Sequence, residues 1–232
     1  MDAAAAKQTL DKIVGQIFGY QNPLSLDQAM QKFAFDVRLP QQVYDSTTNE
    51  PTWAQSTNPS KFITMENAHS RSGVDDWLIP KRPLNSLQDI LAAWADTNFM
   101  ATERQLESSN VSESDNIYNS QNVYRSLDIN QSKNVLFSDA ANNSEFVVAC
   151  QRSNALSFCI RVEDSKQCSN SFNVIWSAKV ANCLFVQDCY DLTDCMFCSH
   201  ITSKQFCIAN MQYEETEYRK LKELVVRWIL TS

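Results

Sequence analysis

From Leu84 to the C-terminus the chain holds neither glycine nor proline, although much of that stretch is composed of strand-favouring residues. Connections between short strands usually depend on those two residues, so here the turns must be made by others. What recurs in their place is a short phrase: Ser114-Asp-Asn116-Ile-Tyr118, Ser120-Gln-Asn122-Val-Tyr124, Ser132-Lys-Asn134-Val-Leu136-Phe137, Ser144-Glu-Phe146-Val-Val148, Ser171-Phe-Asn173-Val-Ile175-Trp176 and Val180-Ala-Asn182-Cys-Leu184-Phe185. Weaker echoes follow at Ser165, Thr193 and Ser203, and most gaps between phrases are multiples of about six, with slips by threes.

Short polar corners between brief apolar runs fit a coil of short strands stacked on itself better than a sandwich, whose strands need longer turns. The expected fold is mainly β: a short irregular β-solenoid (β-helix) with N-terminal helices, an extended arm and a C-terminal capping helix. An ordinary antiparallel β domain with chance Ser-x-Asn recurrence is the competing reading. Asn and Asp tolerate left-handed backbone best among residues with a Cβ, so they are expected at the corners, and stacked Asn side chains are expected to form ladders. Val, Ile, Leu, Phe and Cys are expected inside, with Val135 and Ile175 in the stacked interior.

The flanks divide by pattern. Residues 1–37 read as helices: Leu10, Ile13, Val14, Ile17 and Phe18 mark one apolar face over 3–18, and Ser25 caps a run from Leu26 to Phe35. Residues 38–107 read as an extended arm and one helix. The part from Arg38 to Pro83 is broken by Pro40, Pro51, Pro59, Pro80 and Pro83 yet carries Tyr44, Trp53, Phe62 and Trp77, so it is expected to pack on its own body or on another chain. Leu87, Ile90, Leu91 and Trp94 stripe a helix over 86–97. The solenoid is assigned to 108–213. Residues 214–232 form the capping helix, with acids in its first turn and Lys220, Lys222 and Arg227 later, as the helix dipole favours.

At 232 residues with a net charge of -7, the chain can bury one sizeable core and lacks the clustered Lys and Arg that nucleic acid or an anionic membrane requires. No segment reads as a cleaved signal or a membrane span, so synthesis in the cytoplasm is expected. All eight cysteines fall between Cys150 and Cys207, mostly inside apolar runs, and are read as reduced buried thiols.

The stretch from about Asn110 to Leu224 resembles a loosely defined group of uncharacterised candidate-phylum bacterial proteins built from Ser/Asn-x-x-Cys-Tyr-like repeats. The closing phrase Gln205-Phe-Cys-Ile-Ala-Asn-Met-Gln-Tyr213, followed by a charged helix like Glu214 to Glu223, carries most of that likeness. It implies a solenoid and no particular activity. The zinc ribbon common in that group is missing, since residues 1–149 contain no cysteine.

With only Gly15, Gly19 and Gly73, no phosphate-cradling loop, dinucleotide fingerprint or nucleophile elbow can be written. Cys189, Cys195, Cys198, His200 and Cys207 are the one cluster with zinc-like composition, but Cys183, Cys189 and Cys195 recur every six residues like stacked core positions. Asp75 and Asp76 lie in the arm, and Asp188, Asp191 and Asp194 offer carboxylates at three-residue spacing, the arrangement a glycosidase-like solenoid would exploit. Tyr118, Tyr124, Phe137, Trp176, Phe185 and Tyr190 are candidates for an aromatic binding strip. No catalytic residue, cofactor-binding residue, cofactor or metal ligand is assigned. The functional expectation is a non-enzymatic structural or assembly protein, a component of a large particle such as a phage or virus virion, gripping protein partners in a homo- or hetero-oligomer through residues 38–83, with no nucleic acid and no membrane. A carbohydrate-active or carbohydrate-binding solenoid and a cytoplasmic interaction module with a structural zinc are the alternatives.

Overall fold

The computed structural model describes residues 1–58, 61–74 and 77–231. From Gln105 onward the chain winds into a parallel β-solenoid of about nine turns. Each turn takes 12 residues: Val135 pairs with Val123 below and Val147 above. Most turns carry two four-residue strands, such as Gln121–Tyr124 and Leu127–Asn130.

The winding is made by the backbone of every third residue. From Glu107 through Ala209, each third residue has φ between 46° and 66°, so four left-handed bends close one turn, without a single glycine. A residue with a Cβ pays roughly 1–2 kcal/mol for that conformation, and Asn and Asp pay least. Asn110, Asn116, Asn119, Asn122 and Asn134 occupy bends in the lower turns, and Asp188, Asp191 and Asp194 in the upper ones. Asn110 donates through Nδ2 to Asn122 Oδ1 (2.6 Å) and Asn122 likewise to Asn134 (2.9 Å), which is the expected ladder.

Phe137, Phe146, Phe158, Phe185, Phe197 and Phe206 also stand at bends. Phe is therefore outside the coil, contrary to expectation. The interior holds small and branched side chains, and rings outside it stack on the turn above: Phe146 on Phe158 at 4.5 Å and Phe185 on Phe197 at 4.7 Å.

The residue after each bend points inward. From Ser108 to Cys207 these positions hold only Ser, Ala, Val, Ile, Leu and Cys, apart from Lys204. Serine is there for a specific reason. Ser126 Oγ donates to the Tyr124 carbonyl in its own turn (2.9 Å) and accepts the N–H of Ser138, one turn up (3.1 Å). The same bridge repeats from Ser114 to Ser126, Ser120 to Ser132, Ser132 to Ser144 and Ser165 to Ser177. The buried N–H of those columns is thus satisfied by a hydroxyl. Cysteine substitutes for serine near the top: Cys183 Sγ accepts the N–H of Cys195 (3.3 Å) and Cys195 Sγ that of Cys207 (3.5 Å).

Two columns of each turn are small and bridging, and the two a quarter-turn away are branched and apolar. At residues 150–156 the two kinds exchange. Ser120, Ser132 and Ser144 continue upward as Leu156, Cys168 and Val180, while Val123, Val135 and Val147 continue as Cys159, Ser171 and Cys183. This explains the slips by threes in the sequence: the bend at every third residue and the 12-residue stacking stay in phase, while the column chemistry and the strand starts, six apart up to Ser157, shift together by three at Lys166. Every full turn keeps at least two of its four inward positions small, as Ser, Ala or Cys. Val135 is inside and fully buried, as expected. Ile175 is not inside; it follows the inward-facing Val174 and is half-buried on the outer surface.

Helices cover one side of the coil. Helix α1 (Ala3–Phe18), capped by Asp2, and α2 (Leu26–Phe33), capped by Ser25, lay Leu10, Ile13, Val14, Phe18 and Phe33 against the outward column Tyr124, Leu136, Val148, Ile160 and Phe172. The last helix (Glu215–Thr231) continues the same cover over Leu184 and Met196 with Tyr218, Val226, Ile229 and Leu230. It lies along the side of the solenoid and not across its end, because its apolar stripe matches that outward column.

The segment from Arg38 is tied to the lowest turns of the coil. Strands β1 (Gln41–Tyr44) and β2 (Pro51–Ala54) form a hairpin, and β3 (Lys61–Thr64) pairs in parallel with β4 (Phe99–Thr102). Arg38 spans Asp128 and Asp139, Arg104 forks onto the buried Asp115, and Gln55 N–H donates to Asp115. Of the two fates open to the arm, residues 38–58 thus take the packing on their own body. Asp45 ties the hairpin to Thr64 and Asn67, accepting from both and from Thr47; burial opposes its charge, but those bonds keep its carboxyl well below the usual range. Between β3 and β4 lie α3 (Met65–Ser72) and the helix Leu87–Thr97, here α4, capped by Ser86; the C-terminal helix is α5.

Ser126→Ala, which orphans the Ser138 N–H, is expected to cost about 1–3 kcal/mol in denaturant unfolding, against less than about 0.5 kcal/mol for the exposed Ser157→Ala. The register is checked by circular dichroism of two charge insertions: Val135→Asp is expected to abolish cooperative folding, whereas Ile175→Asp stays folded.

Candidate functional site

Twelve-residue stacking aligns side chains that are far apart in sequence. Arg152, Asp164, Trp176, Asp188 and His200 form one outward column, every member at a left-handed bend. Arg152 Nε and its terminal nitrogen donate to the two Asp164 oxygens at 2.9 Å each. Arg152, together with a hydrogen bond from Trp176, holds the Asp164 carboxyl below its ordinary range. Two positions along the chain runs a second column, Asn154, Lys166, Ala178 and Tyr190, and the Lys179 ammonium sits 5.1 Å from the Tyr190 ring centre.

Between the columns lies a groove of about 660 Å³, floored by Ser165, Ser177 and Cys189. Its walls offer two exposed rings, Trp176 (58%) and Tyr190 (44%), among Arg152, Asp164, Lys166 and Asp188. The groove is half a turn from the helix-covered side. Its chemistry suits a ligand with both flat apolar faces and hydrogen-bonding edges. Acid–base chemistry has less support, because Asp164 is already committed to Arg152 and Trp176.

The candidates from sequence separate accordingly. Of the aromatic strip, Trp176 and Tyr190 meet at the groove. Tyr124 and Phe137 are buried, and Phe185 is packed, beneath the helices, and Tyr118 stands lower on the coil. Asp188, Asp191 and Asp194 do not converge, since a three-residue step is a quarter-turn: Asp191 accepts from Ser203 Oγ, Asp194 lies 3.8 Å from Lys222 on α5, and only Asp188 borders the groove. Asp75 and Asp76 lie outside the described residues. His69 borders a separate cleft of about 300 Å³ with Glu66 and Glu103.

Cys189, Cys195, Cys198 and Cys207 point inward and are buried, whereas His200 is on the outer surface, 3.7 Å from Asp188. The imidazole and the thiols therefore do not face one point, and among the described residues no three potential ligands gather. Burial pushes the Cys150 thiol up to about 12 and Cys168 to about 11, and bonding to Cys183 pushes Cys195 to about 12. Thiols held this way are poor nucleophiles. Arg152, Asp164 and Lys166 escaped the sequence reading; the signal was present as opposite charges 12 apart, legible only once that period is known.

No protein-family model, curated protein or solved structure matches this chain. Among the described residues no helix is long and apolar enough to cross a membrane.

A thiol-specific chromogenic reagent is expected to leave the native protein essentially unlabelled at pH 8 and to label all eight cysteines in denaturant. Rapid native labelling of several cysteines would contradict the inward placement.

Proposed function

We propose that the protein is a non-enzymatic structural or assembly component: a rigid solenoid that is held to other copies of the chain by the segment at its lower end. The observation that carries this reading is α4. Its stripe of Leu87, Ile90, Leu91 and Trp94 is 45–70% exposed, and no residue of α3 or α4 is buried. A folded helix that leaves its whole apolar face in water has the composition of an interface core. The gripping element accordingly shifts from residues 38–83 toward 65–97, since 38–58 is engaged with the solenoid. A second copy is the simplest occupant: Arg82 pairs with Asp96 within the chain, so the charges flanking the stripe are already neutralised, and the apolar face can pair with its own copy about a two-fold axis. A virion or comparable particle is the setting we favour by analogy with arms and rods in such assemblies.

A second reading, binding of a linear carbohydrate along the solenoid, is favoured by Trp176 and Tyr190 flanking one groove lined with charged hydrogen-bonding groups.

Light scattering on a size-exclusion column, with limited proteolysis, tests the first reading. The parent chain is expected to assemble, and Leu91→Ser/Trp94→Ser to be monomeric with cleavage between residues 73 and 98. A monomeric parent whose 73–98 segment resists protease would count against it.

A further inference from the structure

The solenoid has a second, differently guarded surface at its upper end. The strand Thr202–Gln205 pairs on one side only, with Tyr190–Thr193 below, and all four of its residues are exposed. Within the coil, the N–H one residue beyond an inward position donates upward, as Tyr190 N–H does to the Ile201 carbonyl (3.3 Å). No further turn receives the equivalent N–H of Thr202. An edge of this kind is a template for another strand.

Part of that end is closed. Cys207–Ile208 folds back in a hairpin with Met211–Gln212, and Gln212 Nε2 caps the Gln205 carbonyl at 2.7 Å. The remaining stretch, Thr202 to Lys204, carries the one exception to the interior alphabet. Every inward position from Ser108 to Cys207 is Ser, Ala, Val, Ile, Leu or Cys except Lys204, which stacks above the fully buried Leu192. A branched residue there would complete the column Leu156, Cys168, Val180, Leu192 and leave an apolar end.

We infer that Lys204 is a gatekeeper: the upper end is a pairing surface for a second copy of this chain, and the charge at 204 keeps it unpaired. Two copies meeting end to end would each bring Lys204 to the same two-fold interface, forcing like charges together over buried apolar columns. At the lower end the β1–β4 segment is tied to the coil through Arg38 and Gln55 on Asp128 and Asp115, while Ser109 and Asn110 of the first full rung stay exposed. The pair inferred is the two-fold upper-to-upper one, so removal of the charge yields a dimer that does not grow, and longer oligomers would overturn it.

This surface is separate from α4, and the test is made in the Leu91→Ser/Trp94→Ser background so that assembly through α4 does not interfere. Adding Lys204→Leu is expected to tighten self-association by about tenfold or more, read as a dimer in sedimentation velocity, with unchanged or higher thermal stability. Adding Thr202→Pro as well, which removes the upward N–H, is expected to return the protein to monomer. A Lys204→Leu protein that stays monomeric across the concentration range would overturn the inference. So would association that Thr202→Pro does not reduce, because it would then run through some other surface.

Discussion

The hydrogen bond that an inward hydroxyl accepts from the N–H one turn above sets the terms for the rest of the molecule. A coil of 12 residues per turn bends at every third residue, and those bends leave inward N–H groups without a backbone carbonyl in two of its four columns. Serine meets both needs of such a column, being small enough for a narrow interior and able to accept the orphaned donor while giving its own proton to a carbonyl two residues back. The other two columns are then free to carry Val, Ile and Leu, which supply the hydrophobic burial. Where cysteine replaces serine it keeps the geometry, with a weaker acceptor and a larger atom. The eight cysteines are thus members of the same interior alphabet as the serines and branched aliphatics.

Exact stacking has a second consequence on the outside. Any side chain recurs in space every 12 residues, so isolated charges and rings become ladders: Asn110 to Asn134, Phe146 on Phe158, Arg152 to Asp164 to Trp176. One outward column, Tyr124 to Met196, is apolar and calls for the three helices that cover it. The groove at Trp176 and Tyr190 arises from the same repetition on the opposite side.

Much of this was legible beforehand. The Ser-x-Asn-Val phrase announces its own geometry, because Ser and Val are inward and Asn takes the left-handed bend between them. Helices over 3–18 and 86–97 follow from spacing and from the Ser86 cap. The interior of the upper half was harder: when the columns exchange at 150–156, serine ceases to mark the same position, and Ile175 looks as eligible for the core as Val174. Phe was misplaced for a related reason, since hydrophobicity suggests burial inside while the width of the coil forbids it. Convergence at the groove depends on the 12-residue period, and a spacing of three, as in Asp188, Asp191 and Asp194, separates residues that look adjacent.

Triple-resonance NMR of the intact protein gives the most direct check, through Cα and Cβ shifts and three-bond HN–Hα couplings from Glu107 to Ala209. A left-handed signature at every third residue, including Phe146, Trp176 and Phe185, is the expected result. Continuous extended values with left-handed residues confined to a few Asn and Asp would contradict the 12-residue coil and the serine bridges built on it.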